Sequence, residues 1–302
     1  MEMPILLVFQ DVFVWIPLVF AAIALLAASI TDLKTREVPD MLNYGLIVFG
    51  ISLNAFLSAF YWDIIYLLNS VLGLLLCFGI GWMMFYAGQW GGGDSKMLMG
   101  LGALIGIPIA WGDSFLLSLL LNILFAGAVY GLAWSMYLVF RDWRRFKGHY
   151  LRICRSRPNR RMRMLAYLFA ALSFIAILLL DYLFVPTLSL LPLPFIVLLI
   201  PFFYLFAKSI ERSSMLVNFP ISRLTEGEWI AKDVIVKGKR VCGPKDLGIS
   251  KAQIRELKRL QEKGLIQKVL VKQGIPFIPS FLIAFLFTIA IGNPFLFILG
   301  MF

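Results

Sequence analysis

Histidine occurs once in these 302 residues, as His149 inside a run of arginines, and cysteine three times, at Cys77, Cys154 and Cys242. One histidine leaves no material for a multi-histidine metal site, and its basic surroundings suit a solvated loop side chain better than a catalytic base. The cysteines are scattered and form no C-x-x-C pair, so neither a zinc ligand set nor a disulfide framework is indicated. No metal and no cofactor is expected. Charge is also scarce, at 15% of residues, against 61% hydrophobic residues and a mean hydropathy of +0.87. That balance excludes a soluble domain, because several apolar runs exceed the ~18 residues needed to cross a bilayer. The first run is preceded by no basic n-region and no small-residue cleavage signal, and it reads as a retained helix rather than a signal peptide.

Eight apolar spans are expected, at about 12–31, 41–60, 64–87, 95–111, 114–140, 165–184, 188–207 and 277–300. The fold class is therefore a mostly α, polytopic helical membrane protein. All 28 Lys and Arg residues follow odd-numbered spans: Lys34 and Arg36, Lys96, the Arg141–Arg163 loop, and the segment from Lys208 to Lys272. The opposite loops hold only acids: Glu2, Asp11, Asp63, Asp113 and Asp181. Under the positive-inside rule this asymmetry puts the N-terminus outside and the basic loops in the cytoplasm.

Two acids stand at the ends of apolar spans, where an ionisable residue is a functional candidate by default. Asp94 follows Gly91-Gly92-Gly93 and opens the fourth span; Asp32 ends the first. The glycines remove β-carbons, so another backbone can approach closely. Alone, a glycine-rich turn before an acid is also ordinary helix punctuation. Two complete crossings separate the acids, however, so both fall at the cytoplasmic boundary, where a bundle can bring them together. Asp40, after Pro39, is available as an N-cap for the second span. The fourth span is short, about 15 residues or roughly 22 Å from Met97 to Trp111, with Pro108 limiting its outer end. Lys96 either snorkels to headgroups or helps hold the carboxylate pair. Helix position suggests a division of labour: Asp94 at a helix N-terminus as base, Asp32 at a helix C-terminus as acid.

Asp32, followed by Lys34, Arg36 and Val38-Pro39-Asp40, resembles the D-x-x-x-R-x-I/V-P-N/D stretch of the type IV prepilin peptidases, and Gly91-x-Gly93-Asp94-x-Lys96 resembles their GxGD motif. The likeness covers roughly residues 14–140. Bacterial members carry a cysteine-rich zinc loop that this chain lacks, so it is more similar to the archaeal prepilin and preflagellin (archaellin) peptidases. The resemblance implies a membrane aspartic endopeptidase in which Asp32 and Asp94 are catalytic and Gly91, Gly93 and Lys96 support them. Its substrates would be type IV pilin-like or archaellin precursors with short basic leaders, cut at the cytoplasmic face of the cell membrane. The alternative is a transporter or channel using the acids for ion or proton coupling. Isolated Asn54, Asn69 and Asn122, and the lack of a repeat, count against it.

Five segments are expected: a catalytic core at 1–140, a basic cytoplasmic loop at 141–163, helices at 164–207, a small α+β cytoplasmic subdomain at 208–275 and a C-terminal helix at 276–302. The basic loop holds ten Lys/Arg, with Trp143, Phe146 and Tyr150 interleaved. Next to a membrane its simplest partner is anionic lipid rather than nucleic acid. In the subdomain, Val234–Val241 around Lys237-Gly238-Lys239 reads as a hairpin. Ser250–Gln253 opens an amphipathic helix ending at Gly264, and Leu265–Val271 alternates like a strand. Pro276-Phe277-Ile278-Pro279 breaks the chain at the depth of the acids. It is either a simple helix start with Pro in the first turn or, by analogy with the proline motif of presenilin-like GxGD proteases, a stretch that lines the site and offers backbone to substrate.

Overall fold

A computed structural model of the protein describes residues 4–108, 114–183, 188–246 and 248–293. The chain forms two compact units, Met1–Ala133 with Gly274–Phe302, and Trp134–Gln273. The first comprises α1 (Pro4–Thr35), α2 (Asp40–Tyr61), α3 (Ile65–Tyr86), α4 (Gly92–Ile105), the first part of α5 (Phe115–Arg141) and, from the far end of the chain, α10 (Ile278–Ile291). The second holds the rest of α5, α6 (Trp143–Arg155), α7 (Arg157–Tyr182), α8 (Pro192–Ile210), α9 (Lys251–Glu262) and five short strands.

Among the described residues, six stretches are long and apolar enough to cross a bilayer: Trp15–Thr35, Asp40–Tyr61, Ile65–Tyr86, Phe115–Arg141, Arg157–Tyr182 and Leu188–Met215. The remaining two expected spans are short helices, the fourth as expected and the last as far as the described residues extend. α4 and α10 have 14 residues each, or roughly 21 Å of helix against a hydrocarbon core of about 30 Å. The fourth helix starts earlier than expected, at Gly92, and stops at Ile105 rather than near Pro108, because Gly106 turns into the left-handed region at φ 73° and its N–H returns to the Gly102 carbonyl at 2.9 Å. α10 stops likewise at Gly292, φ 72°. Residues 109–111 of the expected fourth span, Glu2, Asp113, and residues 294–300 of the expected last span lie outside the described residues.

α4 can be short because it is enclosed. Eight of its residues are buried, and α2 and α3 approach it through glycine contacts. A Cβ on Gly50 would sit 2.6 Å from the Leu104 nitrogen, and one on Gly102 2.7 Å from the Cys77 Sγ. Backbones this close leave the last carbonyls of α4 without water, and side chains from its neighbours serve them. Asn54 Nδ2 donates to the carbonyls of Ala103 (3.3 Å) and Leu104 (3.2 Å), and the Ser70 hydroxyl to Ala103 (2.6 Å). Asn122 does the same for α10, donating to Thr288 Oγ1 at 2.9 Å and to the Gly292 carbonyl at 3.0 Å. Polar residues in mid-span thus terminate short helices, a structural use that needs no transport path.

In the second unit the stretch Arg141–Arg163, expected as a loop, is mostly helical. α6 places Phe146, Ile153 and Cys154 on a buried face and its cations on the other; the apolar residues recur at helical intervals that the density of arginine obscures. The expected hairpin is present as β3 (Val234–Val236) and β4 (Lys239–Cys242), with Lys237 (φ 50°) and Gly238 (φ 78°) both left-handed as a tight hairpin turn requires. α9 begins with the reciprocal Ser250–Gln253 capping box. The strand expected at Leu265–Val271 is β5 (Lys268–Lys272). It pairs antiparallel with two strands the sequence did not reveal, β1 (Leu216–Pro220) and β2 (Trp229–Ile230), in the order β1-β5-β2.

Candidate active site

Asp32 lies in the last turn of α1 and is 5% exposed. The turn after it closes with the Arg36 N–H on the Asp32 carbonyl at 2.8 Å, and Arg36 leaves the helix with φ 59°. The Asp32 side chain finds its partner 246 positions later: the Ile278 N–H, at the first residue of α10, donates to Asp32 Oδ2 at 2.9 Å. An acid against the free N–H groups of a helix N-terminus is a charge-assisted contact. Arg36 clamps the same junction from the other side, its Nη1 donating to the Gly274 carbonyl at 2.6 Å.

Asp94 is the third residue of α4, and its Oδ2 folds back to accept the Gly91 N–H at 3.0 Å. The glycines around it have unequal duties. A Cβ on Gly93 would sit 3.3 Å from Val38 Cβ, so the residue before the acid must stay small for the Val38-Pro39 segment to close over it. Gly92 has room, with Phe85 3.8 Å from its hypothetical Cβ. Asn43, fully buried on α2, donates to the Gly93 carbonyl at 3.4 Å. Trp90, just before the turn, meets Phe281 (5.4 Å between centroids) and Phe277 (6.0 Å), which joins the turn carrying Asp94 to the start of α10 beside Asp32.

The structure thus brings Asp32 and Asp94 into one unit, near enough for the charge of Asp32 to act on Asp94. Pro276, Phe277 and Pro279 stand beside them. Pro279 occupies the first turn of α10, as in the simple helix start expected, and the N–H of Ile278 before it is directed at Asp32. Two other expectations are corrected. Asp40 makes no side-chain cap; the cap of α2 is Pro39, and Asp40 pairs with Lys96 at 2.6 Å. Lys96 is consequently spent on Asp40 and on the Tyr44 ring, 5.0 Å from its centroid, and ties α4 to α2 rather than serving the acid pair. The premise that only Asp94 sits at a helix N-terminus also falls, since α10 presents one to Asp32. Ser95 beside Lys96 is occupied by the carbonyls of Gly81 (3.0 Å) and Gly91 (3.3 Å).

Asn43 and Trp90 were missed from sequence. For Asn43 and Trp90 the only available signal was their place within or next to the two motifs. Among the described residues, no three His, Cys, Asp or Glu side chains cluster so as to hold a metal ion, and the three cysteines are free and buried.

Residues 19–144 match the model of the type IV leader peptidase family. The chain is similar over 87 residues to proteins described as preflagellin peptidases: 46% identical to that of Methanocaldococcus jannaschii and 42% to that of Methanococcus maripaludis. It is also 42% identical to that of Methanococcus voltae over 83 residues. The 87 residues are 29% of this chain and 37% of each of the first two relatives, so the chain spans just over a third of their length. Residues 19–144, the part that supplies both aspartates and the turn between α3 and α4, are thus similar to the type IV leader peptidase family.

Proposed function

We propose that the protein is a membrane aspartic endopeptidase that removes short basic leaders from preflagellin- or prepilin-like precursors, with Asp32 and Asp94 as the catalytic pair. The observation that carries this is the convergence of the two carboxylates from helices separated by two complete crossings. Like charges so placed share a proton more readily than they both ionise. The ionised member takes a proton from a water molecule as its oxygen attacks the scissile carbonyl, and the protonated member gives its proton to the carbonyl oxygen. As the tetrahedral intermediate collapses, the first acid passes its proton to the leaving amine and the second recovers its own. The pair ends as it began. Gly91 and Gly93, with no side chains, leave room for an extended substrate strand beside Asp94, and Pro276, Phe277 and Pro279 flank it from the other side.

In this reading the chain crosses the cell membrane eight times, with α4 and α10 as its short spans and the N-terminus outside. The distribution of Lys and Arg supports a cytoplasmic active site. α6 lies along the inner surface, its cations facing anionic lipid headgroups, with no call for nucleic acid. The alternative of a transporter or channel has no support from these relatives or from the mid-span asparagines, which cap helices.

The test uses the full chain in membranes with a precursor bearing a short basic leader ahead of its hydrophobic segment. Wild type cleaves it; Asp32→Asn and Asp94→Asn do not. Cleavage by both variants removes the assignment.

A further inference from the structure

The second unit carries two recesses along one face of α8. The first is an apolar groove of about 440 Å³ between α7 and α8, walled by Leu165, Ala166 and Phe169 on one side and Val197, Ile200 and Pro201 on the other. The second, about 390 Å³, opens where α8 gives way to the strands, and Lys208, Glu211, Arg212, Trp229, Asp246 and Lys272 line it. Positions 197, 201, 204, 208 and 212 follow at intervals of three or four, so the groove, Tyr204 and the cleft succeed one another on a single stripe. From Val197 to Lys208 is roughly 16 Å of helix. An apolar recess in line with a polar one matches an amphiphile, not a soluble metabolite.

The charge balance of the cleft decides the sign of its occupant. Glu211 is taken up by Lys272 at 2.9 Å. Asp246 accepts from Arg240 at 3.2 Å and from the Gly243 N–H at 2.8 Å. Lys208 has neutral company, the Tyr204 hydroxyl at 2.7 Å and the Tyr204 ring at 5.0 Å from its centroid. Among the described residues Arg212 forms no ion pair. Two cations are therefore left over, and a guanidinium beside an ammonium suits phosphate oxygens. Arg212 also belongs to a π-helical turn, Glu211–Met215, a rare geometry that is frequent at functional sites. Trp229 adds an indole, a side chain suited to the membrane–water boundary.

We propose that this stripe is a site for one anionic phospholipid, its phosphate headgroup on Lys208 and Arg212 in the cleft and an acyl chain in the groove between α7 and α8. It differs from the general attraction of the α6 cations to headgroups, because it needs both recesses. Leu216 of β1, Trp229 of β2 and Lys272 of β5 all border the headgroup cleft, so the lipid fastens the helix pair to the sheet. The inference does not rest on the acid pair.

The experiment uses the full chain purified in a neutral detergent. It reads the thermal midpoint after addition of dioleoyl phosphatidylglycerol, dioleoyl phosphatidylcholine or glycerol phosphate, and counts retained lipid by native mass spectrometry. A ligand that binds only the folded state raises the midpoint. Phosphatidylglycerol is expected to raise that of wild type by several degrees and to stay bound at one per chain. Phosphatidylcholine, whose headgroup carries no net charge, and glycerol phosphate, which has no chain, are expected to do neither. The Lys208→Gln, Arg212→Gln double variant loses the shift and the retained lipid, as does Ala166→Phe, which fills the groove; Arg152→Gln, on α6, keeps both. If Ala166→Phe fails to fold, the double variant, altered outside the buried core, carries the test. An equal shift from phosphatidylcholine refutes the headgroup contact, and an equal shift from glycerol phosphate refutes the lipid in favour of a soluble phosphate. A wild-type response in the double variant, or loss of the response in Arg152→Gln as well, refutes the site, as does a wild type that phosphatidylglycerol neither stabilises nor accompanies.

Discussion

Replacing Gly102 by alanine tests the enclosure of α4 at its tightest point. Gly102 faces Gly73 of α3, and an added methyl would run into the Gly73 carbonyl oxygen while sitting 2.7 Å from the Cys77 Sγ and 2.8 Å from its Cβ. Ordinary contacts between such atoms are near 3.5–4 Å, so α3 would have to retreat by about 1 Å, and the nearest obstacle is backbone, which cannot swing aside as a side chain can. Overpacking of this kind costs roughly 1–3 kcal/mol or more, offset by about 1 kcal/mol from the better helix propensity of alanine. A net loss near 2 kcal/mol lowers the thermal midpoint by roughly 4–8 °C. Gly79, also on α3 but with nothing within 4 Å of a hypothetical Cβ, is the control: Gly79→Ala should leave the midpoint unchanged or raise it. The assay is thermal unfolding of the purified protein in detergent, paired with precursor cleavage in membranes, because displaced α4 carries Asp94 with it. Were Gly102→Ala to unfold within about 1 °C of wild type and cleave normally, the close approach of α3 and α4 would be refuted.

Lys96→Met should keep most of its cleavage activity. The Lys96–Asp40 pair has side chains 30% and 65% exposed, so a double-mutant cycle should return a coupling of about 1 kcal/mol or less; inactivity of the single variant would return Lys96 to the catalytic group. Asn54→Ala strips a donor from the two last carbonyls of α4, Ala103 and Leu104, and from Gly50 of its own helix and should cost about 1–3 kcal/mol, seen as a lower thermal midpoint in detergent; an unchanged midpoint would show that the cap is idle. In the strand-containing region, partial burial of Asp246 favours its neutral form, but the Arg240 guanidinium, the Gly243 N–H and Gln253 outweigh that and hold its carboxyl below the usual carboxylate range. A lowered pKa in the folded state contributes stability above the unfolded value, about pH 4, which is lost as pH falls through the folded value. Acid unfolding of the full chain, followed by tryptophan fluorescence, should therefore show a smaller loss of stability below about pH 4 in Asp246→Asn than in wild type.

The acid pair was legible because its signals are local: two acids at span ends, glycines before one, and an even number of crossings between them. Short-range chemistry was legible for the same reason, as the Lys237-Gly238 turn and the Ser250–Gln253 box show. What escaped was decided by distant contacts. The donor to Asp32 comes from residue 278, the partner of Asp40 is Lys96 on another helix, and β1 is recognisable only once β5 lies beside it. α5 is apolar on every side, so nothing in its sequence distinguishes the face that meets α10 from the face that meets lipid. The C-terminal ends of α4 and α10 were set too late because hydropathy does not register the left-handed glycines at Gly106 and Gly292 that end them.

The bond from Ile278 to Asp32 also sets an order of events during synthesis. At a ribosomal rate of about 5–20 residues per second, the 246 positions between them take roughly 12–50 s to make. From residue 144 onward the nascent chain carries both aspartates and the whole of residues 19–144, yet Asp32 has not received its backbone donor. Only when the final described helix emerges from the ribosome is the first one completed.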